Sequence, residues 1–406
     1  MVPANEAEQL ILDLVQALEE SETVALADCL GRVLASPITS PLDFPHWTNS
    51  AMDGYAVRHR DVATAPTTLE IVEEIPAGKA PQVSLAAGQA ARLFTGSMLP
   101  PGADTVVMQE ETERQGQRVT IGCMPKAGAF VREQGSYRRA GAPLLPPGET
   151  IGAPALALLA AAQQAQVPVY RRPRVAILST GDELVAVDRP LAPGQIVDSN
   201  QYALTALVAQ AGAVPVSLGR VPDRPEATQA AIAQALTQAD LVISSGGVSV
   251  GDHDHVDRVL EKLGATIHLR SVAVKPGKPL TVATFKTGGR PILYFGLPGN
   301  PVSSLVSFWR FVKPAIRKLS GRRSGWLPRY VWATAAQDLK AGGKRETYLW
   351  GQLQATETGY GFEPAAGGHS SGNLVDLALT SGLAIVPLGE TRISRGEQVR
   401  VLDLSP

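Results

Sequence analysis

Residues 240–257 read DLVISSGGVSVGDHDHVD, and the interpretation of this stretch decides the fold. An apolar, β-branched run breaks into serines and glycines and ends in a knot of acids and histidines. A buried strand that opens into hydroxyls and bare backbone is what a ligand loop at the carboxyl end of a parallel strand requires. Two neighbours repeat the pattern: RVAILST (174–180) runs into GDELV, and ILYFG (292–296) runs into LPGNP. VPVSLG (214–219) and IHLRSVAV (267–274) add strand-like runs, with helical patterns at 201–211, 225–238 and 255–263. Strands alternating with helices over 174–319 predict a parallel sheet buried on both faces. A last helix is expected where Asn300 can cap and Pro301 can take the first helical position.

The three loops share one chemistry. Glycines let backbone N–H groups approach a ligand, hydroxyls add donors without bulk, and phosphate is the natural guest. Neither a Walker A sequence nor a dinucleotide GxGxxG is present, which argues against the common ATPase and dehydrogenase folds. Taken singly, each loop could be a turn whose glycines only bend the chain and whose Asp182, Asp252 or Asp254 only caps a helix. Three on one sheet favour a site. The knot GDHDHVD offers Asp252 or Asp254 to Mg²⁺. His253 and His255, without further close ligands, are a weak case for zinc. VKPGKPL (274–280) displays Lys275 and Lys278 around a Pro-Gly turn, where two ammonium groups can meet a phosphate.

Outside this region the chain changes character. Asn5 and Glu8 suggest a capping box on an amphipathic first helix carrying Leu10, Ile11, Leu14, Val15 and Leu18. Short β-like runs at 69–74, 90–95, 105–110 and 118–122 form a β-rich insert, and an alanine-rich helix near 154–164 can pack back on the first one. Strand patterns return after Trp326 as YVWATAA, TYLWGQL, LAIVPLG and QVRVLDL, which predict a C-terminal β-barrel or sandwich.

With 406 residues, 44% hydrophobic and 18% charged, several domains are expected. A formal net charge of −1 gives no reason to expect nucleic acid or an anionic membrane as partner. Two cysteines, Cys29 and Cys123, exclude a disulfide framework, and the acidic start lacks a signal peptide's order, so a cytoplasmic protein is expected.

The assembled motifs resemble the molybdopterin molybdenumtransferases, the family of MoeA and the gephyrin E domain. The matching pieces are SPLDFPHWTNSAMDGYAV, LFTGSMLPPGADTVVMQEE, ILSTGDEL, VISSGGVSVGDHD, VKPGKPL, FGLPGNPVS and HSSGNLVDLALTSGLAIVP, in family order over nearly the whole chain. The resemblance implies α/β and β multidomain architecture. An elongated N-terminal domain (1–43 and 137–171) carries the inserted β-rich domain (44–136). A molybdopterin-binding α/β domain with a mostly parallel sheet (172–323) and a C-terminal β-barrel (324–406) follow. It implies a transferase of molybdenum cofactor biosynthesis that, with Mg²⁺, cleaves adenylylated molybdopterin, releases AMP and inserts molybdate into the dithiolene.

By motif match the catalytic set is Asp53, Glu183, Asp223, Asp254, Lys275 and Lys278, with the four acids also holding the metal. The cofactor cradle comprises Thr95, Gly96, Ser179, Thr180, Gly181, Asp182, Ser244, Ser245, Gly246, Gly247, Ser249, Pro298, Gly299, Asn300 and Pro301. Arg345 and Ser371 would help hold molybdate. The family forms homodimers with sites shared between subunits, and the adenylyltransferase and apo-molybdoenzymes are its expected partners.

Three positions depart from the pattern. Tyr137 stands for an acid in VREQGSYRRAG, Ser271 for a basic residue that Arg270 precedes by one place, and Trp350 for an arginine. These changes leave open a catalytically weakened relative that acts as a cofactor carrier or scaffold. The adenylyltransferase reading fits less well, because GGVS replaces its GGTG and the insert and barrel are extra.

Overall fold

In a computed structural model that describes residues 1–247, 253–286 and 289–405, the run at 174–180 is strand β1 (Arg174–Thr180). The side chains of residues 253–255 lie outside the description. Val175 and Ile177 join one buried cluster, whereas Ala176 and Leu178 join another, so both faces of the strand are covered. The two-residue period explains why the sequence reads as an unbroken apolar run. Strands β2 (Val214–Val221), β3 (Leu241–Ser245), β4 (Ala265–Ser271), β5 (Pro279–Phe285) and β6 (Ile292–Leu297) complete a sheet of order β2-β1-β3-β6-β5-β4.

The first three pairings of that order are parallel and the last two antiparallel. The sheet is therefore mostly parallel, but IHLRS does not extend the parallel part. It pairs antiparallel with β5, a strand the sequence hides because PLTVATF follows a lysine turn and opens on proline, which is tolerated at a strand's first residue.

Helices α2 (Ser199–Gln210), α3 (Pro225–Gln238) and α4 (His253–Lys262) fall close to the expected spans. Leu204 and Val208 of α2 cover one face of the sheet, while Ile232 and Ala235 of α3 and Val259 and Leu260 of α4 cover the other. Helix α5 (Pro301–Ser307) continues through a π-helical turn, Phe308–Val312, into α6 (Lys313–Leu319).

Arg310, in that π turn, is only 1% exposed. Its guanidinium donates to Asn5 Oδ1 at 2.9 Å, to the Glu8 carboxylate, and to the Tyr348 hydroxyl at 2.9 Å. This corrects the expected capping box. The residue preceding the first helix, Ala4–Leu14, is Pro3 and no side chain caps it, because Asn5 and Glu8 are turned to Arg310. Asn300 likewise precedes α5 without a side-chain cap bond.

Tyr348 belongs to the closed barrel. Strands β7 (Tyr330–Ala335), β8 (Glu346–Thr356), β9 (Gly359–Pro364), β10 (Gly382–Val386) and β11 (Gln398–Asp403) run β8-β9-β7-β11-β10 and return to β8. Phe362 and Val401 are among its buried interior residues. The sequence misses β9, where glycines and a proline blur the alternation.

The sheet, barrel and first helix belong to one compact unit: Met1–Ser36, Pro147–Leu156 and Gln166–Pro406. The second unit is Pro37–Pro146 with Ala157–Ala165. Within it six strands between Gly54 and Ile121 form a curled sheet around Tyr55, Val57, Leu69 and Val107. Among the described residues no helix is long and apolar enough to cross a membrane.

Two outcomes follow from the ionic anchors. Arg310→Met strands Glu8 and Asn5 and leaves the Tyr348 hydroxyl with only its bond to Glu346, and should cost roughly 3–5 kcal/mol, read as a fall in the urea midpoint. Asp240, at the start of β3, accepts two bonds from Arg171 at 2.7 and 2.8 Å, one from Arg290 at 2.7 Å and the Arg174 N–H at 2.8 Å. Burial pushes its pKa up, but these donors outweigh burial and lower it. Its contribution is therefore present above the unfolded value of about 4 and lost as pH falls through the lower folded value. Asp240→Asn should flatten that part of the acid unfolding curve.

Candidate active site

From β1 the chain crosses outward to β2, then returns to β3 on the other side of β1, so a crevice opens where β1 and β3 end. A cavity of about 690 Å³ fills it. Ser179, Thr180 and Gly181 come from the end of β1, Ser245, Gly246 and Gly247 from the end of β3, and Pro298 through Pro301 from the end of β6. All three predicted loops thus meet in one place.

Gly246 has φ +93°, and a Cβ there would lie 2.2 Å from the Thr180 carbonyl oxygen. Only glycine lets the two loops pass this closely. Asn200, the second residue of α2, donates to Ser245 Oγ at 2.7 Å and to the Gly299 carbonyl at 2.8 Å. Ser179 donates to Asp198 Oδ1 at 3.1 Å, and the same oxygen accepts the Gln201 N–H and caps α2. Two buried atoms on the wall, Thr180 Oγ1 and Asn200 Oδ1, have no partner among the described residues. A polar group taken from water without a partner costs stability, so both are suited to a ligand's donors.

The barrel supplies the remaining wall. The Ser371 carbonyl accepts the Val302 N–H at 3.1 Å, and Asn300 Nδ2 donates to Ser371 Oγ at 3.1 Å. Gly372 then lines the cavity.

Carboxylates dominate the charge. Glu183 and Asp223 line the cavity with Asp198, and Asp182 accepts the Asp223 N–H at 3.1 Å. Among the described residues no lysine or arginine lines it. No three of His, Cys, Asp and Glu gather into a metal cluster among them either. Glu183 and Asp223 are nevertheless hard oxygen donors on one wall, which suits Mg²⁺, an ion held by one or two carboxylates plus waters and substrate oxygens. Ser249, Asp252 and the side chains of His253, Asp254 and His255 lie outside the described residues.

Several expected residues point elsewhere. Ser244 faces the opposite side of β3 and shares a 2.5 Å hydrogen bond with the Tyr294 hydroxyl, as the strand's alternation demands. Lys275 and Lys278 are exposed on their turn, not on the cavity wall. That turn seats on α5, where a Cβ on Gly277 would meet Ser307 Oγ at 2.8 Å, and Pro279 beside Lys278 does line the cavity. Arg345 donates to the Val274 carbonyl at 3.2 Å. Arg270 does not take the place of Ser271: despite a bulge in β4 it pairs with Asp257 at 2.5 Å and Glu261 at 3.3 Å. Trp350 is fully buried with His369 edge-on at 4.5 Å.

In the second unit Asp53 and Thr95 come together. Asp53 Oδ1 accepts the Thr95 N–H at 2.7 Å and its hydroxyl at 2.8 Å. These bonds hold the Asp53 pKa below the usual carboxylate range. Gly96 follows with φ +86°, and its N–H donates to the Ser50 carbonyl at 2.8 Å. Tyr137 is 66% exposed in the same unit. Asn200 and Asp198 were not foreseen from the sequence, where DSN reads only as the approach to a helix.

Residues 2–162 fit the description "MoeA N-terminal region (domain I and II)", residues 176–318 "Probable molybdopterin binding domain", and residues 333–404 "MoeA C-terminal region (domain IV)". A molybdopterin molybdenumtransferase of Nostoc sp. is 55% identical over 411 residues, covering 100% of this chain and 94% of the relative. One of Haemophilus influenzae is 35% identical over 99% of this chain and 98% of its own. A crystal structure of a molybdopterin biosynthesis MoeA protein from Pyrococcus horikoshii superposes with TM-score 0.84 at 27% identity, covering 99% of each chain.

Thr180→Val tests the cavity's unpartnered hydroxyl. Removing it without changing shape should raise the unfolding free energy by about 1 kcal/mol, seen in urea denaturation, while lowering turnover.

Proposed function

The chain belongs to the molybdopterin molybdenumtransferase family, transferases of molybdenum cofactor biosynthesis, and from that premise we propose that its α/β cavity binds adenylylated molybdopterin. There the phosphoanhydride is cleaved, AMP leaves, and molybdate is inserted into the dithiolene. The observation that carries this reading is the convergence of three glycine- and hydroxyl-bearing strand ends with Glu183 and Asp223 on one cavity wall.

The parts divide the work by chemistry. The close-packed backbone at Gly246 and Gly299 presents peptide groups to phosphate oxygens without side-chain bulk. Thr180 and Asn200 offer oxygens that accept N–H or O–H groups of the ligand. Glu183 and Asp223, joined by Asp254, would hold Mg²⁺, whose charge offsets that of the pyrophosphate. Lys275 and Lys278 stand on a braced turn, Lys278 one residue from the wall-lining Pro279, from which long side chains would reach an anion. A carboxylate held ionised, as Asp53 is by Thr95, can complete a metal shell or orient a water.

We place Asp53 in the active site of a second copy, in a homodimer whose inserts close each other's cavities. The finished cofactor would pass to apo-molybdoenzymes, and the substrate would come from the adenylyltransferase.

A carrier reading keeps one specific support: no cation lines the cavity among the described residues, and Arg270 is engaged by α4. A single-turnover assay with adenylylated molybdopterin, molybdate and Mg²⁺ separates the two. The enzyme releases AMP and reconstitutes an apo-molybdoenzyme in the same tube, and Asp53→Ala or Glu183→Ala lowers both by about 100-fold or more. Tight binding without AMP release would establish the carrier.

A further inference from the structure

Away from the cavity, Lys313 and Arg317 lie one helical turn apart on α6, and Arg322 follows just beyond its end. Like charges at this spacing repel, and long cations are rarely buried without a counter-ion. Here all three are partly buried. The Nε atoms of Arg317 and Arg322 are fully shielded and have no acceptor among the described residues. Burial, then Arg317 and Arg322, pushes the Lys313 ammonium down to about 8, and burial, then Arg317, pushes Arg322 down to about 10.

A helix C-terminus attracts cations to its last turn, but it does not explain shielded guanidinium nitrogens that bond to nothing. Lys313 and Arg317 line a cavity of about 170 Å³ at the seam between α6 and the barrel's last strand. Its other charged groups are Arg329 and Asp403, which pair with each other at 3.4 Å. Asp403 also accepts the Ser405 N–H at 2.9 Å, so its charge is already engaged. The cations exceed the carboxylate, and the space suits a small ion better than a nucleotide.

We propose that Lys313 and Arg317 form a second anion site, separate from the strand-end cavity, that takes an inorganic tetrahedral dianion of the phosphate, sulfate and molybdate class. Arg322 lies outside the cavity wall but close enough to add its field. The Arg317 guanidinium fork matches the oxygens of such an ion, and Lys313 and Arg317 together balance its two charges. Because its walls come from α6 and from the strand end and linker of the barrel, the bound ion would brace the barrel against the helix.

The test uses the full chain, inorganic phosphate as probe, and sodium chloride at equal ionic strength as control. Thermal unfolding and calorimetric titration are followed for wild type, Arg317→Gln and Lys313→Met. Phosphate should raise the wild-type midpoint saturably, and each variant should bind it about tenfold more weakly or worse. In chloride alone Arg317→Gln should be at least as stable as wild type, because it relieves repulsion. Sulfate and molybdate titrations on the same proteins identify the preferred ion. The site is refuted if none of the three anions outperforms chloride. It is equally refuted if Arg317→Gln destabilises the protein to the same extent in both salts, which would make the cluster structural or covered by another copy of the chain.

Discussion

Two parallel strands whose chains depart to opposite sides leave a gap that no crossover helix fills. That constraint, met where β1 and β3 end, organises the α/β part of this protein. The gap exposes backbone polar groups that must find partners, and the sequence answers with residues too small to close it. Gly246 passes against the Thr180 carbonyl, Asn200 ties Ser245 to Gly299, and the barrel loop at Ser371 takes the first free N–H of α5. The result is a lined cavity whose walls come from seven separated stretches of chain.

Buried polar contacts join the apolar layers in holding those stretches in register. Arg310 joins the first helix, the π turn and the barrel through three side chains. Its burial would be costly alone, yet the complete set satisfies it and fixes where the barrel meets the helix. The π turn places this guanidinium between α5 and α6, so the helix that builds one cavity wall is the one pinned to the barrel. Asp240 does similar work at the other end of β3, collecting Arg171, Arg174 and Arg290. The strand that ends in the cavity thus begins in an ionic anchor.

Local pattern made much of this legible. Continuous apolar runs marked β1, β3 and β6, and small residues after each run marked the cavity, because burial on both faces and close backbone approach leave little choice of residue. What the sequence hid depends on distant partners. Asn5 and Glu8 fit a capping box in one dimension, and only the position of Arg310, three hundred residues away in sequence, reassigns them. Ser244 and Ser245 look equivalent until the strand's alternation turns one to Tyr294 and the other to Asn200. Asn200 carries no motif, since its role comes from the loops that cross it. The antiparallel edge escaped notice because PLTVATF is joined to its neighbour by a lysine turn that itself reads as a binding loop.

Among the described residues the cavity wall is acidic and carries no cation, which suits a phosphoanhydride only through a bound metal, and we propose that a second copy adds Asp53, poised by Thr95, to those acids. Subunit mixing tests this most directly. Asp53→Ala and Glu183→Ala proteins, each inactive alone, are unfolded together, refolded as a one-to-one mixture and assayed for AMP release. If each site draws on two chains, mixed dimers regain one intact site, and activity returns to about a quarter of wild type. Mixtures as inactive as their parents would contradict the account and return Asp53 and Glu183 to a single chain's site.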